Sequence, residues 1–273
     1  MSRNLSWVIF TDVDGTLLDH DSYGFEPARP ALEDLAARRI PVVLCSSKTR
    51  AELEEVRTRL DNSDPFVVEN GGAAFIPAGY FPFSVPEGRE SGAYLALEFG
   101  VPYEKLRQAL ARIRAELGGG LRGFGDMTAD EVARLCGFSC REAELARRRE
   151  YDEPFVVEDR VTAGDLSAAA ARLGLRTTRG GRFFHLTGDN DKGRAVRALR
   201  ALYERSRGPV RTVGIGDSLN DLPLLESVDV AVLVQKPDGA YDPDIGLPGL
   251  IRAPGPGPAG WNAAVREIIR GGA

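Results

Sequence analysis

Trp7-Val8-Ile9-Phe10-Thr11-Asp12-Val13-Asp14-Gly15-Thr16 is an apolar run that ends abruptly in two carboxylates and a glycine turn. The apolar part reads as a buried strand over 7–11. Ionised carboxylates at the tip of such a strand resist burial unless something uses their charge. A divalent cation is the usual partner, and oxygen-only ligands suit hard Mg²⁺. Gly15 supplies the permissive backbone for the turn that follows.

A second strand-like run over 210–215 leads into Gly216-Asp217-Ser218-Leu219-Asn220-Asp221. Again a strand delivers a carboxylate to its C-terminal tip, where ligands bind in open α/β sheets. One such Asp alone reads equally well as a helix N-cap. Two clusters in opposite halves of the chain, with Lys192 between them, point instead to one shared site. Lys192 opens a helix, a position unfavourable for a cation unless an anion partners it. Asp189-Asn190, just before it, has no assignable role.

These residue types suit phosphoryl transfer. Asp12 is the nucleophile candidate, forming an aspartyl-phosphate that splits hydrolysis into two easier steps. Asp14 is the candidate acid and base, protonating the leaving oxygen and then activating water. Ser46, ending the apolar strand over 41–45, offers a hydroxyl to a phosphoryl oxygen or caps the next helix. Neither His20 nor His185 reads as part of a serine–histidine–acid catalytic constellation, and His20 reads as a solvated loop residue.

Outward from these motifs, strands over 7–11, 41–45 and 66–69 alternate with helices over 27–39 and 49–60. The rhythm returns with helices over 191–205, 219–226 and 261–270 and strands over 211–215 and 229–233. Such alternation predicts an α/β fold with a parallel sheet. Residues 77–92, rich in Pro, Gly and aromatics, read as a linker, and 254–258 as a loop. Between the halves, helices are expected over 102–117, 128–136, 139–150 and 163–173, with strands over 155–158, 175–178 and 182–186. The expected domains are a core of 1–80 and 187–273 interrupted by an α/β unit over 81–186.

A net charge of −5 argues against nucleic-acid or membrane-surface partners and leaves a small-molecule substrate. Three cysteines make no disulfide framework, and no apolar run approaches membrane-spanning length, so a cytoplasmic protein is expected. The sequence does not specify an oligomeric state.

Taken in order, Asp12-Val13-Asp14-Gly15-Thr16, Ser46, Lys192 and the 216–221 motif resemble the four motifs of the haloacid dehalogenase superfamily of phosphatases. The resemblance implies a Rossmann-like core with a parallel sheet and an inserted α/β cap of the C2 type. It implies Mg²⁺ held by Asp12, the Asp14 backbone carbonyl and Asp217, with Asn220 and Asp221 ordering the surroundings of the metal. Ser46 stands where Thr is commoner, and the hydroxyl survives. A closer resemblance, to the mannosyl-3-phosphoglycerate phosphatase family, rests on Ser46-Ser47-Lys48-Thr49-Arg50, Val68-Glu69-Asn70-Gly71-Gly72, Gly125-Asp126-Met127-Thr128-Ala129 and the cap segments over 149–153 and 180–185. It implies a small phosphorylated sugar–glycerate substrate and mannosylglycerate, a compatible solute, as product. Reading a phosphate, a carboxylate and a neutral sugar needs cations and polar groups; Lys48, Glu69, Asn70, Arg182 and His185 are the binding candidates. Tyr151, Phe183 and Phe184 either stack on the sugar or pack in a core. The glucosyl analogue, a phosphomutase and a non-enzymatic regulator stay open as alternatives.

Overall fold

The structure, a computed structural model, describes residues 6–157, 161–180 and 183–271. The first half contributes strands β1 (Ser6–Thr11), β2 (Val42–Cys45), β3 (Phe66–Val68), β4 (Ala73–Pro77), β5 (Arg89–Ser91) and β6 (Tyr94–Glu98). The middle contributes β7 (Leu121–Gly123), β8 (Glu153–Val157), β9 (Arg176–Gly180) and β10 (Phe183–Thr187). The last part contributes β11 (Val210–Gly216), β12 (Val230–Gln235) and β13 (Ile251–Pro256).

Among the described residues, nine strands form one sheet in the order β13-β12-β11-β1-β2-β3-β4-β6-β5. From β13 to β3 the pairing is parallel; β4, β6 and β5 extend it antiparallel. This is the α/β core read from the motifs. β1 lies in its interior because it is apolar on both faces, as a parallel strand covered by helices must be. Ile9 feeds one core layer, and Val8 and Phe10 feed the other. The parallel register with β11 pairs Thr11 with Ile215, so both acidic tips emerge at one edge of the sheet.

Two expectations change. Residues 77–92 are not simply a linker: β5 falls wholly within them, and the Asn70-Gly71-Gly72 turn sends the chain back through β4 and β6 into the large sheet. We therefore place the start of the inserted unit after Gly100 rather than at 81. The 254–258 loop is in part the edge strand β13, where Pro254 and Pro256 are tolerated because an edge N–H need not pair.

The inserted unit carries a second, antiparallel sheet in the order β7-β8-β10-β9. Helices Tyr103–Glu116 and Ala163–Arg172 cover one face, with Leu110, Ile113, Phe155, Leu166 and Leu186 in the shared core. The strand period of two then turns Thr178, His185 and Thr187 to the opposite face, toward the large sheet.

The two units are joined where the linkers cross. Glu69, at φ +47° and fully buried, takes the backbone N–H of Glu150 at 2.9 Å and of Tyr151 at 2.8 Å. Gly72 O accepts from Phe99 and Gly100 N–H, and Glu150 O accepts from Tyr103 N–H. The expected substrate role of Glu69 is thus corrected: its carboxylate is consumed by the linker and does not reach the cleft. Burial raises this carboxyl to about 8, against the opposing pull of Arg149. Glu69→Ala leaves two buried N–H donors unpaired and should lower unfolding stability by about 2–3 kcal/mol in a urea titration. Wild-type stability in that variant would remove the clamp from the account.

Candidate active site

Asp12 follows β1 directly, and its N–H donates to Ile215 O at 2.8 Å, which ties it to the neighbouring strand. Trp261, wholly buried on the C-terminal helix, donates through Nε1 to Thr11 Oγ1 at 2.9 Å, and that hydroxyl donates to Asp12 O at 2.8 Å. The nucleophile candidate is therefore held through its backbone from both sides. Gly15 at φ +73° makes the turn, and a Cβ there would come within 3.2 Å of Asp217 Oδ2.

Lys192 is the buried centre of charge. Its Nζ lies 2.6 Å from Asp12 Oδ1 and 2.6 Å from Asp221 Oδ1. The helix Lys192–Arg207 starts there because Asp191 caps it, accepting from Arg194 N–H at 2.7 Å. Its first turn presses on the Asn70 turn: a Cβ on Gly71, at φ +88°, would sit 2.0 Å from Asp191 O. Burial alone would depress the Lys192 ammonium, but Asp12 and Asp221 outweigh it and hold it well above its ordinary value.

Asp221 uses both oxygens. Oδ1 meets Lys192, and Oδ2 accepts the N–H groups of Asp217 at 3.1 Å and Ser218 at 3.2 Å, folding the loop after β11 around itself. Asp217 Oδ1 in turn accepts from Thr16 and Ser218 hydroxyls, so the loops after β1 and β11 are stitched across 201 residues of sequence. Asp12, Asp217 and Asp221 each bring a carboxylate oxygen within 4.8 Å of the others. The third carboxylate of this group is Asp221, whereas the Asp14 side chain, which the sequence reading did not need for the metal, pairs with Lys48 Nζ at 3.1 Å.

Three converging carboxylates need more positive charge than one lysine provides. Burial, then Asp221, pushes Asp12 well above its ordinary range against the pull of Lys192. Burial and Asp221 likewise raise Asp217 to about 6. An all-oxygen donor set under mutual repulsion fits a hard divalent cation. Without the cation, folded Asp217 keeps a proton between about pH 4 and pH 6 that the unfolded chain has released. Its contribution to stability is therefore greatest below pH 4 and declines as pH rises through 6. In chelator at pH 7, Asp217→Asn should be more stable than wild type by on the order of 2 kcal/mol, a gap closing near pH 4. Lower stability of the variant at pH 7 would contradict this charge balance.

Above the carboxylates lies a cleft of ≈ 880 Å³ between the core and the inserted sheet. Of the residues expected in the site, Asp14, Lys48, Asn70, His185, Lys192 and Asn220 line it. Ser46 ends β2 as expected, but is buried, and its Oγ accepts Lys48 N–H at 3.1 Å. Asn220 Nδ2 lies 3.5 Å from Asn70 Oδ1. Arg182 lies outside the described residues. Tyr151 is core, its hydroxyl donating to Glu98, and Phe184 stacks on Phe155; of the three aromatics only Phe183 reaches the cleft.

Sequence reasoning missed Arg149, Arg176 and Thr178 as lining residues. Arg149 is braced by Ser47 O at 2.9 Å and Ala146 O at 2.7 Å, and approaches Asp152 at 3.7 Å. The same Asp152 orients His185 through Nδ1 at 2.7 Å. The alternation of 176 and 178 opposite 187 and 185 was the available signal.

The chain belongs to the haloacid dehalogenase-like hydrolases; residues 9–79 match that family, and full-length relatives extend the match. It is 48% identical over 263 residues to glucosyl-3-phosphoglycerate/mannosyl-3-phosphoglycerate phosphatase of Methanococcoides burtonii, covering 96% of this chain and 97% of that protein. It is 41% identical to mannosyl-3-phosphoglycerate phosphatase of Pyrococcus furiosus, covering 83% and 90%. The fold matches a phosphatase of the same superfamily from Bacteroides thetaiotaomicron at TM-score 0.66 and 15% identity, covering 100% of this chain and 97% of that one. No helix among the described residues is long and apolar enough to cross a membrane.

Proposed function

We infer that the protein is a Mg²⁺-dependent phosphatase of glycosyl-3-phosphoglycerates, releasing glycosylglycerate and inorganic phosphate. The observation that carries this reading is Asp12: one carboxylate oxygen is fixed on Lys192, and the other has no hydrogen-bond partner among the described residues. That oxygen is the one placed to attack phosphorus, with the glycerate oxygen leaving in line. Lys192 holds the attacking group in register and supplies positive charge beside the transferred phosphoryl. Asp14, paired with Lys48 at the cleft wall, gives its proton to the leaving oxygen and recovers one from the attacking water. Asp12, Asp217 and the Asp14 backbone carbonyl would hold the cation, with Asp221 and Asn220 fixing the loop that carries Asp217. Bound there, Mg²⁺ neutralises phosphoryl charge and aligns the reactants.

The cleft wall supports a substrate with two anionic groups and a neutral sugar. Lys48, Arg149 and Arg176 supply cations, and Thr178, His185 and Asn70 supply hydrogen-bonding groups. The named activities of the relatives support the glycosyl phosphoglycerates, mannosyl and glucosyl alike. The three cysteines, none of them in a disulfide, support a reducing, cytoplasmic setting.

The test is a phosphate-release screen over sugar phosphates that includes both glycosyl-3-phosphoglycerates, run with Mg²⁺ and with EDTA. Turnover of the glycosyl phosphoglycerates should exceed that of the other sugar phosphates, vanish in chelator and return with Mg²⁺. Full activity in EDTA, or no preference for these substrates, would overturn the reading.

A further inference from the structure

Asn190 occupies the return linker between β10 and the helix Lys192–Arg207, two residues before the buried lysine. It lines the cleft and is only 7% exposed. Both its Oδ1 and its Nδ2 are buried without a hydrogen-bond partner. Among the described residues no other side chain has two such atoms. Protein interiors rarely leave a whole amide unpaired, and one that does so beside a binding cleft calls for a partner from outside the chain. Where the linkers cross it packs closely on two glycines: a Cβ on Gly100 or on Gly188 would stand 3.3 Å from Asn190 Oδ1.

We propose that Asn190 is a specificity-determining residue that reads a hydroxyl of the glycosyl group. This rests on the phosphatase reading above and adds to it which part of the substrate the amide meets. An amide offers donors at one end and an acceptor at the other, and a sugar hydroxyl, which both donates and accepts, matches it. A carboxylate or phosphate, acceptor-only when ionised, would leave Oδ1 facing like charge. Lys48, Arg149 and Arg176 line the same cleft and are the cations available to those anions.

The test uses the full chain with mannosyl- and glucosyl-3-phosphoglycerate, 3-phosphoglycerate and p-nitrophenyl phosphate as substrates. Wild-type turnover of a glycosyl substrate comes first; its absence overturns the phosphatase reading and this proposal with it. Given that turnover, Asn190→Ala should lose at least about tenfold more kcat/KM on a glycosyl substrate than on the two phosphates that lack the sugar. Asn190→Leu, which keeps the volume and removes the polarity, should show the same split and serves if the alanine variant folds poorly. Equal losses on all substrates would make Asn190 a linker residue only, and no loss would make it a residue satisfied by water; either overturns the proposal.

Discussion

Asp12→Asn is expected to lower kcat on any phosphate monoester by at least about a thousandfold while the protein stays folded. The amide oxygen can still accept from Lys192, and Lys192 keeps its second contact to Asp221 at 2.6 Å, so the buried ion pairing survives. What is lost is the free carboxylate oxygen that bonds to phosphorus. Removing one of three mutually repelling carboxylates also relieves charge, so thermal stability in chelator should hold or rise. Steady-state phosphate release and circular dichroism on the same preparation check both halves. Activity above a few per cent of wild type in a folded variant would reject Asp12 as nucleophile.

Lys192→Met should damage stability and turnover together. The lysine is buried between two carboxylates, and removing one member of a buried ion network typically costs about 3–5 kcal/mol because its partners stay desolvated and unpaired. The loss should be largest at neutral pH in chelator and smaller under acid conditions, where burial already favours the protonated forms of Asp12 and Asp217. Added divalent cation should return part of the stability, since it supplies the missing charge, but not full turnover. A variant as stable as wild type in chelator at pH 7 would show that Lys192 does not balance the acidic group.

The features read correctly from sequence share a physical cause. β1 and β11 are buried on both faces, so their apolar runs are continuous, and an Asp at the tip of such a run is conspicuous. Lys192 was legible because a cation in a first helical turn needs a partner. The errors also share a cause: non-local contacts decide them. Glu69 reads as a binding candidate because a sugar–glycerate substrate needs polar groups, yet its users are two N–H groups more than eighty positions away. The antiparallel extension through β4 to β6 was hidden by Pro77, Gly79, Pro82 and Pro86, whose turn signals dominate short strands. Arg149 and His185 converge on Asp152 through sheet and linker geometry that local spacing does not encode.

The decisive measurement is a crystal of the full chain grown with Mg²⁺ and inorganic phosphate. One Mg²⁺ is expected about 2.0–2.1 Å from oxygens of Asp12 and Asp217, and a phosphate whose phosphorus faces the free Asp12 oxygen at roughly 3–3.5 Å. Metal bound away from these carboxylates, or phosphate seated out of reach of Asp12, would contradict that arrangement.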